Sequence, residues 1–168
     1  MRIAQEGAFT PLWSDEILDE FVGAVLRNRK DMPAARLART RSLMEEAFPR
    51  ACVQTDAGAE VGLELPDPDD RHVLAAAIVG KAEAIVTFNL KDFPTTSLAR
   101  HGIAALHPDA FVVALLQRDP EAVTRALAAQ VASLRNPPMT ALELLAFLDR
   151  IGLPNATQRL RELMSVDS

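Results

Sequence analysis

The sequence predicts an α/β fold with a short parallel sheet, followed by a C-terminal α-helical extension. Two short apolar runs, at 84–88 and 103–106, are typical of strands buried on both faces. Helical patterns alternate with these runs, and such alternation favours a parallel sheet. From about residue 108 the pattern is helical throughout. We therefore expect a domain over residues 1–118 and a helical extension over residues 119–168.

The N-terminal third predicts one strand and two helices. The segment Phe9–Trp13 is predicted as a short strand, and Ser14 is a suitable N-cap for the helix after it. Apolar residues recur at helical spacing up to about Arg27: Ile17, Leu18, Phe21, Val22 and Val25. Pro33 opens a second helix that ends near residue 48, and residues 51–54 are a weak strand candidate.

The next signals are caps and turns. Asp67 followed by Pro68 predicts the start of a helix that runs to about Lys81. In the tail, helical periodicity predicts four helices, at 109–117, 120–135, 140–151 and 155–164. Thr140 and Glu143 form a capping-box pattern, and Gly152 suits the position after a helix end.

Composition limits the class of protein. The 168 residues carry a formal net charge of −5, which argues against nucleic-acid binding by bulk charge alone. From Arg27 to Arg50, however, the sequence contains seven basic and three acidic residues and is net positive. This segment is either a solvated helical face or an RNA-facing patch. A lone cysteine, Cys52, the absence of a signal-peptide pattern and the absence of a membrane-spanning apolar run predict a cytoplasmic protein.

Asp70 is the first candidate site residue. On a helical projection it lies at the centre of an apolar stripe formed by Val73, Leu74, Ala77 and Ile78. A carboxylate that points inward is costly unless a positive charge compensates it, and a divalent cation would do so. The alternative is that Asp70 caps backbone amides in the first turn. Asp67 is better explained as a cap than as a metal ligand.

A second group of polar residues follows the strand predicted at 84–88. Thr87 offers a hydroxyl near the end of this strand, and Asn89 and Asp92 come directly after it. Ligands of open parallel sheets collect at the carboxyl ends of strands, so these residues lie where a site is expected. Asn and Asp are also ordinary turn residues, and this pattern alone is a weak signal.

Together these segments resemble the PIN-domain family. The stretch from Pro66 to Ala77, then a spacer and the stretch from Ile85 to Phe93, are similar to a family pattern in which an Asp opens a helix. In that pattern a buried strand then ends in Thr-x-Asp or Thr-x-Asn before an Asp-Phe. Residues 102–108 resemble the last strand of the family. Residues 14–21 resemble an earlier helix, whose metal-binding acid corresponds to Glu20.

The resemblance implies a PIN-like three-layer fold and a ribonuclease of the VapC toxin type. Such an enzyme hydrolyses RNA phosphodiester bonds with Mg²⁺ or Mn²⁺ held by carboxylates, which hard cations prefer. It implies that the catalytic and metal-binding residues are Glu20, Asp70, Asn89 and Asp92, supported by Asp67 and Thr87. Glu20 lies far from the centre of its own apolar stripe, so a solvated glutamate stays an equal alternative. The basic segment adds the RNA-binding candidates Arg27, Arg29 and Lys30.

Two departures from the family pattern leave alternatives open. The family's first strand, with its essential Asp, has no counterpart, because residues 1–6 resemble the helix that follows it. Asn89 also stands where Asp is commoner, which lowers the negative charge. We expect an antitoxin or a complementary chain to supply the missing strand, unless the start of the chain is misassigned or the chain is no longer a nuclease.

The alternative function is a catalytically inactive PIN-derived interaction module in a toxin–antitoxin complex. A receiver-like domain is a weaker third reading, because no early acidic pair follows a first strand. The oligomeric state is left open, a homo-oligomer included.

Overall fold

The computed structural model describes residues 1–56 and 58–166, and these residues form two compact units. One unit contains residues 1–10, 86–88 and the residues from 106 on; the other contains residues 11–85 and 89–105. The α-helices are α1 (Arg2–Gln5), α2 (Asp15–Asn28), α3 (Ala34–Ala47), α4 (Arg71–Val79), α5 (Thr95–Leu98), α6 (Pro108–Arg118), α7 (Pro120–Ser133), α8 (Ala141–Arg150) and α9 (Pro154–Val166). The strands are β1 (Ala84–Val86) and β2 (Ala104–Leu106).

The two strands pair in a short parallel sheet, as the sequence predicts. The N–H of Ala104 donates to the carbonyl of Glu83, and the N–H of Thr87 donates to the carbonyl of Leu106, both at 3.0 Å. The partners ascend together along both strands, which is the parallel arrangement. The mixed helical fold with a small parallel sheet is therefore confirmed.

The burial of β1 differs from the prediction. Ile85 is buried, but Val86 is 43% exposed and Phe88, just beyond the strand, is 60% exposed. The expectation that this apolar run is buried on both faces is therefore wrong. An unbroken apolar run does not by itself say which faces of a strand are covered, because coverage depends on the neighbouring elements.

The strand predicted at Phe9–Trp13 is also not formed. Trp13 makes an isolated parallel bridge to Cys52: its N–H donates to the carbonyl of Ala51 at 3.0 Å, and its carbonyl accepts from the N–H of Val53 at 2.7 Å. Pro11 lies inside the predicted strand and has no N–H to donate, which is one reason why pairing does not extend. The weak strand candidate at residues 51–54 is reduced to the same bridge.

The unit of residues 11–85 and 89–105 holds two hydrophobic clusters and every candidate site residue except Thr87. Its main cluster surrounds Leu74 and Leu98, both fully buried. Ser14 caps α2 by accepting from the N–H of Ile17 at 3.2 Å, as predicted. Arg41 of α3 then fixes α3 to α2, because its guanidinium donates to three carboxylates: Asp15 at 2.6 Å, Glu45 at 2.8 Å and Asp19.

The other unit is built mainly from α6–α9, which lie close to their predicted bounds. Asp119 caps α7 by accepting from the N–H of Ala122 at 2.9 Å. The capping box of Thr140 and Glu143 is present at the start of α8, and Gly152, at φ +103°, follows its end. The structure thus confirms the predicted capping box and the position of Gly152. Both could be predicted because a cap depends on residues that are close in the sequence.

A buried carboxylate joins α6 to α9 in this unit. Asp109 of α6 is 5% exposed and accepts three hydrogen bonds from the first turn of α9. The donors are the N–H of Asn155 at 3.2 Å, its side-chain amide at 2.6 Å, and the N–H of Ala156 at 2.8 Å.

Within the described residues, no helix is both long and apolar enough to cross a membrane.

Candidate metal centre

Asp70 ends the turn that leads into α4. Asp67 caps this 3-10 turn (Pro68–Asp70): its carboxylate accepts from the N–H of Asp69 at 3.0 Å, and Pro68 occupies the first position. Asp70 itself makes no side-chain cap hydrogen bond and is half-buried. Asp67 is thus the cap of this turn, and the carboxylate of Asp70 accepts no capping hydrogen bond from a backbone amide.

The environment of Asp70 is acidic. Partial burial raises the pKa of the Asp70 carboxyl above its ordinary value, and the charges of Asp67, Asp92 and Glu20 raise it further, while His72 opposes them. The negative charges of three other carboxylates therefore act on Asp70. Such an accumulation of negative charge in a partly buried place is what a bound divalent cation would relieve.

Asn89 and Asp92 lie in the turn that follows β1. A 3-10 turn (Leu90–Asp92) begins after Asn89, and the amide nitrogen of Asn89 donates to the Asp92 carboxylate. Asn89 is exposed and Asp92 is half-buried. The two predicted residues are therefore together, and the charge of Asp92 acts on Asp70. Thr87 is half-buried at the end of β1, where its backbone pairs with β2.

Glu20 reaches the cluster from α2, which packs against α4. Its side chain is 57% exposed, and one carboxylate oxygen lies 3.3 Å from Nε2 of His72. The side chain of Glu20 therefore lies beside His72, two residues from Asp70.

His72 is the residue of this site to which the sequence assigned no role. It is 4% exposed, and its Nδ1 donates to the carbonyl of Asp69 at 2.7 Å. On a helical projection position 72 lies opposite the apolar stripe, but α4 is buried nearly all round, with Ala75 and Ala76 also inside. The run of three alanines at 75–77 was the available signal, because a helix that is apolar all round is a buried one.

The donor set suits a divalent cation in its chemistry. Glu20, Asp70 and Asp92 offer carboxylate oxygens and Asn89 offers an amide oxygen, which are the ligands that Mg²⁺ and Mn²⁺ accept. In the part of the chain that the structure describes, no three His, Cys, Asp or Glu side chains are already arranged to hold a metal ion. The residues match such an ion in ligand type and charge, but the described side chains are not gathered around one position.

The predicted RNA-binding residues lie at the end of α2 and just after it, and all three are exposed. Arg29 forms a two-point ion pair with Asp31, at 2.9 and 3.0 Å. Arg27 and Lys30 make no ion pair with any described residue. Part of the positive charge counted in this segment is thus neutralised: Arg29 by Asp31, and Arg41 by the three carboxylates it binds.

Comparisons with known proteins agree with this architecture. Residues 1–91 match the family model described as a PIN domain, and residues 108–162 match one described as the VapC50 C-terminal domain. The chain is 42% identical over 96 residues to a Mycobacterium tuberculosis protein named "Putative ribonuclease VapC50". That match covers 56% of this chain and 55% of the relative, so the chain spans about half the length of the relative. No solved structure matches the chain.

Proposed function

Because the chain belongs to the PIN-domain family, we propose that it is a metal-dependent ribonuclease of the VapC toxin type that hydrolyses RNA phosphodiester bonds. The observation that carries the proposal is the half-buried Asp70 at the start of α4, whose side chain makes no cap hydrogen bond and whose carboxyl has its pKa raised by burial and by the charges of Asp67, Asp92 and Glu20. Structural carboxylates are usually paired with basic groups, whereas this cluster concentrates negative charge around a partly buried acid. The name of the mycobacterial relative supports the same activity.

In this proposal Glu20, Asp70, Asn89 and Asp92 hold Mg²⁺ or Mn²⁺, directly or through water. Asp67 fixes the turn that presents Asp70, and Thr87 supports the site with its hydroxyl. The amide of Asn89 orients the Asp92 carboxylate by donating to one of its oxygens. A divalent cation, when bound, supplies a Lewis acid that activates water and stabilises charge on phosphorus.

The substrate would be bound in part by Arg27, Arg29 and Lys30. These exposed cations follow one another at the C-terminal end of α2, the helix that carries Glu20. Phosphates contacted there would bring the RNA backbone near the acidic cluster, where bulk charge of −5 would otherwise repel it. The location of these residues supports the RNA-facing interpretation over a solvated face.

Two further proposals concern organisation. We propose a PIN-like part over residues 1–118 and a helical extension over residues 119–168; the separate family match at 108–162 supports a distinct C-terminal part. We also propose that an antitoxin or a complementary chain binds the PIN-like part. The match to a relative named as a VapC protein supports such a partner.

Cleavage of single-stranded RNA tests the proposed activity. The chain is incubated with labelled RNA with and without Mn²⁺ or Mg²⁺, alone and with the complementary polypeptide. We expect cleavage that requires metal, is lost in Asp70→Asn and is retained in the matched control Asp69→Asn, which alters the exposed neighbour. Metal-independent cleavage, or equal cleavage by both variants, would contradict the proposal. No cleavage under any condition would favour the inactive interaction module, to which the neutral Asn89 lends support.

A further inference from the structure

His72 lies where a nitrogen ligand to the same cation would be needed. Its ring is 4% exposed, and Nδ1 is 2.7 Å from the carbonyl oxygen of Asp69. A carbonyl oxygen can accept a hydrogen bond but cannot donate one, so Nδ1 carries a proton. Histidines that bind metals commonly donate their second N–H to a backbone carbonyl, which fixes the ring and leaves the other nitrogen for the ion.

The other ring nitrogen is buried and points at a carboxylate. Nε2 has no hydrogen-bond partner among the described residues, although it lies 3.3 Å from the carboxylate oxygen of Glu20. In the neutral form of the ring with its proton on Nδ1, the Nε2 lone pair and the carboxylate oxygen are two acceptors that face each other. Such a pair is stable when a positive group bridges it, and a buried nitrogen without a partner calls for an explanation.

The separation of these two atoms suits a shared ion. Two neighbouring ligand atoms of an octahedral ion, each ~2.1 Å from the metal and ~90° apart, are about 3.0 Å from each other, close to the observed 3.3 Å. Asp70 is the next acid, and the charge of Glu20 acts on it. The buried Nε2 of His72 faces one carboxylate of the proposed site, that of Glu20.

We propose that His72 is a ligand of the cation, binding it through Nε2 beside Glu20, and that the site consequently prefers Mn²⁺ to Mg²⁺. This inference rests on the proposed function, which supplies the cation, and it adds a nitrogen ligand to an otherwise oxygen-based set. Imidazole nitrogen suits transition metals, whereas Mg²⁺ takes oxygen ligands almost exclusively. His72 thereby decides between the two ions that the sequence left open.

The test is a spectroscopic one that does not depend on activity. Mn²⁺ is added to the full chain, its dissociation constant is measured by titration, and pulsed electron paramagnetic resonance detects nitrogen nuclei in its coordination shell. We expect an imidazole nitrogen signal in the wild type. In His72→Gln the signal should be lost, the affinity for Mn²⁺ should fall roughly tenfold or more, and the ratio of Mn²⁺ to Mg²⁺ affinity should also fall. The matched control His101→Gln should keep all three properties.

The outcomes separate this inference from the proposed function. Mn²⁺ binding that is lost in Asp70→Asn but shows no nitrogen signal would overturn the role of His72 and leave the carboxylate site intact. Absence of any Asp70-dependent binding of Mn²⁺ would overturn both. The wild-type spectrum alone decides the question of ligation, so the inference stays falsifiable even when His72→Gln fails to fold.

Discussion

Asp109 provides the sharpest stability prediction, because its buried carboxylate on α6 accepts the hydrogen bonds of the first turn of α9. Asp109→Asn keeps one acceptor oxygen and replaces the other with an amide that cannot accept. At least one of the three hydrogen bonds from α9 is then lost, together with the charge. Hydrogen bonds to charged groups contribute ~1.5–3 kcal/mol each, and they are not additive. We expect Asp109→Asn to lower the free energy of unfolding by about 2–3 kcal/mol, and Asp109→Ala by about 4 kcal/mol.

Urea unfolding followed by circular dichroism measures these changes. The matched comparison is Asp119→Ala, which removes a single helix cap and should cost about 1 kcal/mol. An Asp109→Ala variant no less stable than Asp119→Ala would refute the reasoning, because it would mean that the three bonds contribute no more than one ordinary cap.

The same carboxylate predicts a dependence on pH. Burial raises the pKa of Asp109, but the hydrogen bonds from Ala156 and Asn155 outweigh this effect and hold it below its ordinary value. The pKa is therefore lower in the folded than in the unfolded state. The stabilisation is fully present above the unfolded value of about 3.9 and is lost as the pH falls through the folded value. The difference between wild type and Asp109→Asn should shrink accordingly below about pH 4.

Three further predictions concern charge. Arg41→Ala should lower the free energy of unfolding by about 1–2 kcal/mol at low salt and less in high salt, because its ion pairs are partly exposed. Urea titrations measure this change, and the control Arg39→Ala should leave the free energy of unfolding nearly unchanged. Asp70→Asn should raise the free energy of unfolding at neutral pH by a few tenths of a kcal/mol after solvent screening is allowed for. The pKa of Asp70 is raised, so its favourable contribution exists at low pH and is lost as the pH rises through the folded value; a destabilised Asp70→Asn would contradict this. Arg27, Arg29 and Lys30 should be neutralised together. We expect the triple variant to bind RNA more weakly and its affinity to depend less on salt concentration. An unchanged salt dependence of the affinity would mean that these residues are only a solvated face.

The helices could be predicted from the sequence wherever local signals define them. The cap at Ser14, the Asp67–Pro68 start and the Thr140–Glu143 box each depend on neighbours within three residues, and the structure contains all of them. The strand at residues 9–13 could not be judged in this way. Pairing depends on which distant backbone lies alongside, and a proline within the segment limits it to one bridge.

The candidate site shows the same division. The pattern around Asp70 and Asp92 could be found in the sequence because each residue lies next to a recognisable turn or strand end. The approach of Glu20 to His72 depends on how α2 packs against α4, which no spacing rule supplies. His72 was missed because a projection assumes one covered face, and α4 is covered on nearly every side.

Arg41 bears on where a metal ion can settle on an acidic protein. Asp15, Asp19 and Glu45 gather enough oxygens on the surface to compete for a cation, but a guanidinium occupies their centre. This group keeps its charge at any physiological pH, so it acts as an internal counterion and closes that surface to metal. Around Asp70 burial and the neighbouring acids instead raise the pKa of its carboxyl. One arginine thus neutralises the acidic group on α2 and α3, and the proposed metal site is the other acidic group.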